Sequence, residues 1–174
     1  MNSKILVAYF SRAGGNYFGS GIVDLVVGNT EVVMKNIAGL TGGDLFKIEP
    51  AKKYSTDYTA CTEEAKRDLR SNLRPELVEK PASIDPYDVI VLGYPNYWGT
   101  MPMPVWTFLE MFDFSGKTIL PLCTHEGSGL GRSEMDLQKL CPTARVLPGL
   151  AVRGSSVKNS SKEVESWLRK NGLL

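Results

Sequence analysis

Val89-Ile90-Val91-Leu92-Gly93-Tyr94-Pro95-Asn96-Tyr97-Trp98-Gly99-Thr100-Met101-Pro102 is the stretch that decides the fold. From Val89 to Tyr94 it is apolar without alternation and rich in β-branched side chains, the pattern of a strand buried on both faces. Pro95 stops the strand. Two adjacent aromatics follow, Tyr97 and Trp98, on a loop constrained by Gly99 and two prolines. The carboxyl ends of parallel strands are where open α/β sheets bind ligands. An aromatic pair at that place calls for a flat partner, such as a redox-active ring.

The rest of the chain repeats this strand pattern between helices. Lys4 to Phe10 is a first strand, apolar after its opening lysine. Asp44 to Glu49 alternates and closes at Pro50, which predicts a more peripheral strand. Lys117 to Cys123 predicts a fourth strand, in which Pro121 is a cost and implies a bulge or unusual pairing. Arg145-Val146-Leu147 and Leu150-Ala151-Val152 make a short, broken fifth. Helices are expected over Thr30–Leu40, with Val33, Ile37 and Leu40 on one face, and over Tyr58–Leu73. Others span Pro104–Phe112, with Trp106, Leu109 and Phe112 toward the core, and Leu130–Leu140. Ser160-Ser161-Lys162-Glu163 caps a last helix to about Lys170. Residues 74–87 hold Pro75, Pro81 and Pro86 and read as an irregular connection. Strands alternating with helices imply an α/β fold, a parallel sheet with helices on both faces, in a single domain over residues 1–174.

Composition narrows the function classes. The formal net charge of the 174 residues is +1, and no basic stripe interleaves with aromatics, so no nucleic acid is expected as a partner. Cys61, Cys123 and Cys141 are widely spaced and form no CxxC or Cys/His cluster, and His125 is the lone histidine, so no metal is expected. Free thiols fit a reducing compartment. No charged region followed by an apolar one opens the chain, and no stretch reaches membrane-spanning length, so the expectation is a cytoplasmic protein with no membrane association.

Three loops at strand ends are the candidate site. Ser11-Arg12-Ala13-Gly14-Gly15-Asn16-Tyr17 follows the first strand and offers backbone N–H groups suited to a phosphate. It matches neither GxxxxGK[ST] nor GxGxxG. The best helix start comes only at Gly28-Asn29-Thr30, where Asn29 or Thr30 is a good N-cap. Ser11-Arg12-Ala13 and Gly28-Asn29-Thr30 then form two halves of one phosphate loop, with residues 14–27 an inserted flap. A helix starting directly after Gly15 must instead tolerate Gly19 and Gly21 in its interior. The flap carries Tyr17, Phe18, Ile22, Val23, Leu25, Val26 and Val27, too apolar for a solvated loop, and is expected to cover a ligand or make a dimer contact. The second loop is Pro95 to Pro102. The third is Thr124-His125-Glu126-Gly127-Ser128-Gly129-Leu130-Gly131, whose glycines permit close backbone approach to a ligand. His125 is either placed to influence a bound ring or simply an exposed loop histidine.

Taken in order, Tyr9-Phe10-Ser11-Arg12, Gly28-Asn29-Thr30-Glu31, Asp44 to Pro50, Arg74-Pro75-Glu76-Leu77, Tyr87 to Ile90 with Gly93 to Thr100, and Thr124 to Gly129 resemble the flavodoxin superfamily. The resemblance implies a flavodoxin-like three-layer sandwich, a five-stranded parallel sheet of order 2-1-3-4-5, and non-covalent FMN. Ser11, Asn29 and Thr30 would match phosphate positions, with Arg12 and Ala13 in the same loop. Pro95, Asn96, Tyr97, Trp98 and Gly99 would pack on the flavin ring through Tyr97 or Trp98. Thr124, His125, Gly127, Ser128 and Gly129 would form the third flavin-contacting loop. The chain departs from the family's electron carriers in two ways: Ala13 stands where a hydroxyl is usual, and the acidic charge that steers such carriers is missing. Three functions follow as expectations, in a monomer or homodimer. One is electron transfer with redox partner proteins. The second is FMN-dependent reduction of a quinone or other small molecule by NAD(P)H. The third is a flavin-free binding module.

Overall fold

The computed structural model describes residues 3–174; Met1 and Asn2 lie outside the described residues. In chain order it contains β1 (Ile5–Tyr9), β2 (Gly14–Tyr17), β3 (Ile22–Leu25), α1 (Asn29–Thr41), β4 (Asp44–Lys47), α2 (Tyr58–Arg70), β5 (Val89–Pro95) and α3 (Met103–Glu110). Then follow β6 (Thr118–His125), α4 (Ser133–Leu140), β7 (Arg145–Val146), β8 (Leu150–Arg153), a 3₁₀ turn (Gly154–Asn159) and α5 (Ser161–Lys170).

The main sheet is parallel in the order β4-β1-β5-β6-β7, with β8 also pairing β6. Counting only its strands, this is the expected 2-1-3-4-5 with a broken fifth strand. The break sits beside Pro121. Leu147 N–H donates to Ile119 O at 3.0 Å, so the next donor on that side of β6 would be residue 121. Proline has no N–H to give. There the neighbouring chain leaves the ladder through Pro148-Gly149 and rejoins at Leu122↔Leu150.

Each sheet face is covered by its own core. On one face Ile5, Val7, Val91 and Leu122 meet Val33, Met34 and Ile37 of α1 and Val164, Trp167 and Leu168 of α5. On the other, Leu6, Ala8, Ile90, Leu92 and Ile119 meet Val105, Phe108 and Leu109 of α3 and Leu137 of α4. Burying one such side chain stabilises the fold by about 1.5–3 kcal/mol relative to leaving it exposed. These apolar runs on β1, β5 and β6 are why the sheet must be sandwiched.

Local details differ from the sequence expectations for identifiable reasons. Asn29 and Thr30 are not the cap of α1: Gly28 is, in an extended conformation, and they occupy the first turn. Ser160 precedes α5 but makes no capping box, because its hydroxyl donates to Val157 O at 2.8 Å. The helix read as starting at Leu130 begins at Ser133, after a turn in which Ser133 N–H donates to Leu130 O. The helix expected to reach Leu73 stops at Arg70, and Asn72 then takes a left-handed φ of 52°. α3 ends at Glu110, short of Phe112; its buried face includes Phe108 and Leu109, while Trp106 on the helix and Phe112 beyond it are only partly buried.

Residues 14–25 form an antiparallel hairpin rather than a helix, with Gly14↔Leu25 and Tyr17↔Ile22 as its end pairs. Gly15 N–H donates to Thr56 O at 2.8 Å, tying the hairpin to the segment before α2. No helix among the described residues is long and apolar enough to cross a membrane.

Candidate functional site

The two halves of the first loop come together. Ser11 Oγ accepts the Glu31 N–H at 3.1 Å, bonding the end of β1 to the first turn of α1 across the hairpin. A side chain on Gly28 would run into Ser11 Oγ and into Arg12, whose carbonyl carbon would lie 2.8 Å from the added Cβ. The start of α1 thus lies flat against Ser11-Arg12 and closes the loop. First-turn N–H groups lack intrahelical acceptors and carry about half a positive charge between them. Thr30 adds a hydroxyl, 2.7 Å from Thr124 Oγ1 on β6. Glu31 in the same turn would repel an anion, but it is neutralised by Lys35 at 2.6 Å and Lys47 at 3.3 Å. Burial raises its pKa, and the two lysines outweigh this and hold it below the usual carboxylate range.

Arg12 is the structural hinge pin of the inserted hairpin. One guanidinium nitrogen donates to Ser55 O at 2.9 Å and Thr56 O at 3.2 Å, and another to Gly15 O. Its Nε is buried and has no hydrogen-bond partner among the described residues.

The second loop is a tight turn. Tyr97 N–H donates to Thr100 O at 2.9 Å and Thr100 N–H to Tyr97 O at 3.2 Å. The two central residues, Trp98 and Gly99, have φ of 54° and 82°, as a type I′ turn requires. Glycine suits this; a tryptophan at positive φ is uncommon. Asn96 braces the turn by accepting the Gly99 N–H through Oδ1 and donating Nδ2 to Gly129 O, both at 2.9 Å. The two aromatics have different fates. Tyr97 packs edge-on against Phe10 and Tyr54, with ring centroids 5.8 Å away in each case. Its hydroxyl lies 3.5 Å from Cys61 Sγ. Burial pushes the Tyr97 phenol well up and the Cys61 thiol up from its ordinary value. Trp98 is 45 % exposed, donates Nε1–H to Thr62 O at 2.8 Å and has Lys66 Nζ 4.8 Å from its ring centre.

In the third loop His125 Nδ1 accepts the Gly127 N–H at 2.9 Å, which assigns the ring proton to Nε2. Burial, then the neighbouring Arg153 charge, lower its pKa below the ordinary histidine value. Glu126 accepts the Ser155 hydroxyl at 3.2 Å and its N–H, clamping the 3₁₀ turn. Gly154 of that turn lies directly against Asn29.

These three loops enclose one cavity of about 590 Å³ at the carboxyl ends of β1, β5 and β6. Of the residues singled out from the sequence, Ser11, Arg12, Asn29, Thr30, Pro95, Asn96, Tyr97, Trp98, Gly99, Thr124, His125, Gly127 and Ser128 line it. Ala13 and Gly129 do not. Ala13 is exposed at the base of the hairpin, and Gly129 faces Asn96 through its carbonyl. Sequence reasoning missed the contributions of α2 and of the 3₁₀ turn. Tyr58, Cys61, Thr62 and Ala65 line the cavity from α2, and their i, i+3, i+4, i+7 spacing was a readable signal of one helix face. Gly154 enters from the 3₁₀ turn, which only tertiary folding brings close, while Asn16 and Tyr17 enter from the hairpin, the stretch read from the sequence as a flap. Cys61, Cys123 and Cys141 are free and buried, and no group of three or more His, Cys, Asp or Glu able to hold a metal occurs among the described residues.

The chain matches the flavodoxin family over residues 4–171. A crystal structure from Bacteroides eggerthii, assigned as a flavoprotein, is 30% identical over 97% of each chain, with a TM-score of 0.77. A Lactobacillus acidophilus flavoprotein in complex with FMN is 18% identical, covers 92% of this chain and 99% of its own, and has a TM-score of 0.67. Oxidised flavodoxin 1 from Bacillus cereus is 16% identical, over 96% and 98%, at 0.56. These last two show a shared fold. No curated protein matches the chain.

Proposed function

The chain belongs to the flavodoxin family, and from that premise we propose that its cavity binds FMN and that the protein is a flavin-dependent redox protein, transferring electrons through the bound cofactor. The observation that carries this reading is the convergence of three loops, from three adjacent parallel strands, on one cavity that has a helix N-terminus at one end and a half-exposed indole at the other. The residues fit the group. Gly28 lets the start of α1 lie flat against Ser11-Arg12, where a Cβ would collide with both, so hydroxyl, amide and first-turn N–H donors gather at one place in the cavity wall. Ser11, Asn29, Thr30 and the first-turn amides of α1 would hold the phosphate. Trp98 would stack on the ring, since Tyr97 is already held edge-on by Phe10 and Tyr54. Thr124, Gly127 and Ser128 would pass along the ring's polar edge. His125, kept neutral by burial and Arg153, adds no charge there near neutral pH. Bound FMN supplies the electron chemistry, one or two electrons at a time.

A second reading, an NAD(P)H-dependent reductase of a quinone or similar small molecule, is favoured by the extra cavity wall. Tyr17 and Tyr58, with ring centroids 6.2 Å apart, Asn16 and Thr62 extend the cavity beyond the three loops. The near-neutral net charge also gives little steering toward a basic protein partner. The deciding experiment is reconstitution with FMN, desalting and an absorbance spectrum, then dithionite titration and turnover with NAD(P)H and a quinone. Retained flavin bands are expected. Two resolved one-electron steps without NAD(P)H turnover select the carrier. A single two-electron step with turnover selects the reductase. Folded protein that retains no flavin overturns both and leaves a binding module.

A further inference from the structure

The aromatic turn is gripped from behind by the start of α4, through groups that do not reach the cavity. Thr100 is 1% exposed and Asp136 7% exposed, and neither lines the cavity. Thr100 Oγ1 donates to Asp136 Oδ2 at 2.6 Å, and Arg132 Nε donates to the same oxygen at 3.1 Å. The backbone N–H of Arg132 donates to Gly99 O at 2.8 Å. A buried carboxylate is unfavourable unless it is fully engaged. Here its partners come from the turn itself and from the arginine whose backbone also holds the turn. From the other side Asn96 takes the Gly99 N–H. Between these two anchors sits Trp98, a bulky residue in the left-handed region, which persists only where surrounding contacts over-determine it.

We propose that Thr100, Asp136 and Arg132 are positioning residues: their network locks the Trp98-Gly99 turn in its left-handed conformation and so presets the indole before any ligand arrives. Asp136 acts on the site through Thr100 and the turn, and supporting groups of this kind decide whether a site is held tightly or loosely. The inference rests on the FMN reading for its functional consequence, while the lock itself is a property of the flavin-free protein.

The test separates the two. In the flavin-free protein the Trp98 indole ¹H–¹⁵N resonance, assigned with Trp98→Phe, reports the indole's bond to Thr62 O. Thr100→Val, nearly isosteric, is expected to shift or broaden that resonance and to weaken FMN binding about tenfold, the loss of one hydrogen bond to a charged group. Thr100→Ser is expected to restore both, which a general loss of packing would not allow. Should Thr100→Val not fold, Arg132→Ala removes the other side-chain donor at a half-exposed position and is expected to move the same resonance. An unchanged indole resonance overturns the lock. A moved resonance with FMN affinity within twofold overturns its role in binding. Wild-type protein that binds no FMN defeats the cofactor reading, and the flavin-free spectra still decide the lock.

Discussion

Two glycines of one helix give opposite predictions. Gly28, the cap of α1, has φ −65° and ψ 148°, a conformation alanine adopts freely. The objection to Gly28→Ala is purely steric: the new Cβ would lie 2.5 Å from Arg12 O and 2.8 Å from Arg12 C, and still closer to Ser11 Oγ. Two of these are backbone atoms, so Ser11-Arg12 and α1 must separate. Overpacking of this kind destabilises by about 1–3 kcal/mol, or about 2–4 °C in Tm per kcal/mol at this chain length. The same separation pulls apart the two halves of the phosphate cradle, and FMN affinity is expected to fall by about one to two orders of magnitude, equivalent to about 1.4–2.8 kcal/mol. Gly39, in the middle of α1, has nothing within 4 Å of its would-be Cβ. Gly39→Ala is expected to stabilise by about 0.5–1 kcal/mol through helix propensity and to leave FMN binding unchanged. Urea denaturation and FMN titration, followed by quenching of flavin fluorescence, read both effects. A Gly28→Ala protein as stable as wild type, with unaltered FMN affinity, would refute the claim that Ser11-Arg12 and Gly28 form one loop.

Two further outcomes follow from the site. His125 is the only histidine, so a single set of imidazole NMR signals reports its titration; its pKa is expected below 6.5 and to rise in Arg153→Gln. Because the folded value is the lower one, the unfolded chain takes up the proton first, so stability is expected to fall as pH drops below about 6.5; a folded pKa at or above 6.5 contradicts this. Trp98→Ala is expected to weaken FMN by about 0.5–1.5 kcal/mol beyond lost contact area, whereas Tyr97→Phe, which keeps the ring packed on Phe10 and Tyr54, is expected to leave the affinity within about twofold; the reverse ranking in flavin titrations would assign the stacking role to Tyr97.

Much of this architecture was legible in the residues because it depends on local periodicity. Unbroken apolar runs at Ile5–Phe10 and Val89–Tyr94 have no stable placement except between two layers of helices, and alternation with helices forces them parallel. Pro121 announced irregular pairing, and Gly28-Asn29-Thr30 announced a helix start distant from β1. What local pattern could not supply was partnership across the chain. The choice of Gly28 rather than Asn29 or Thr30 as cap depends on Ser11 reaching Glu31 N–H from twenty residues away. The hairpin at 14–25 has only its Tyr17–Ile22 turn to declare it, and its hold on Thr56 is long-range. The α2 wall of the cavity was periodic enough to be found, but nothing local said which face of α2 would meet Tyr97.

By itself, then, the amino-acid sequence determined the strands of the main sheet, their parallel arrangement and the three loops that end them, because burial on two faces and glycine-rich breaks are written in nearest neighbours. Tertiary structure alone decided that Tyr97 is held edge-on by Phe10 and Tyr54 beside Cys61 while Trp98 stays half-exposed. It also decided that Asp136, 36 residues along the chain, reaches back to Thr100. Contacts between residues distant in sequence are set by how the layers stack, and that is information no single segment carries.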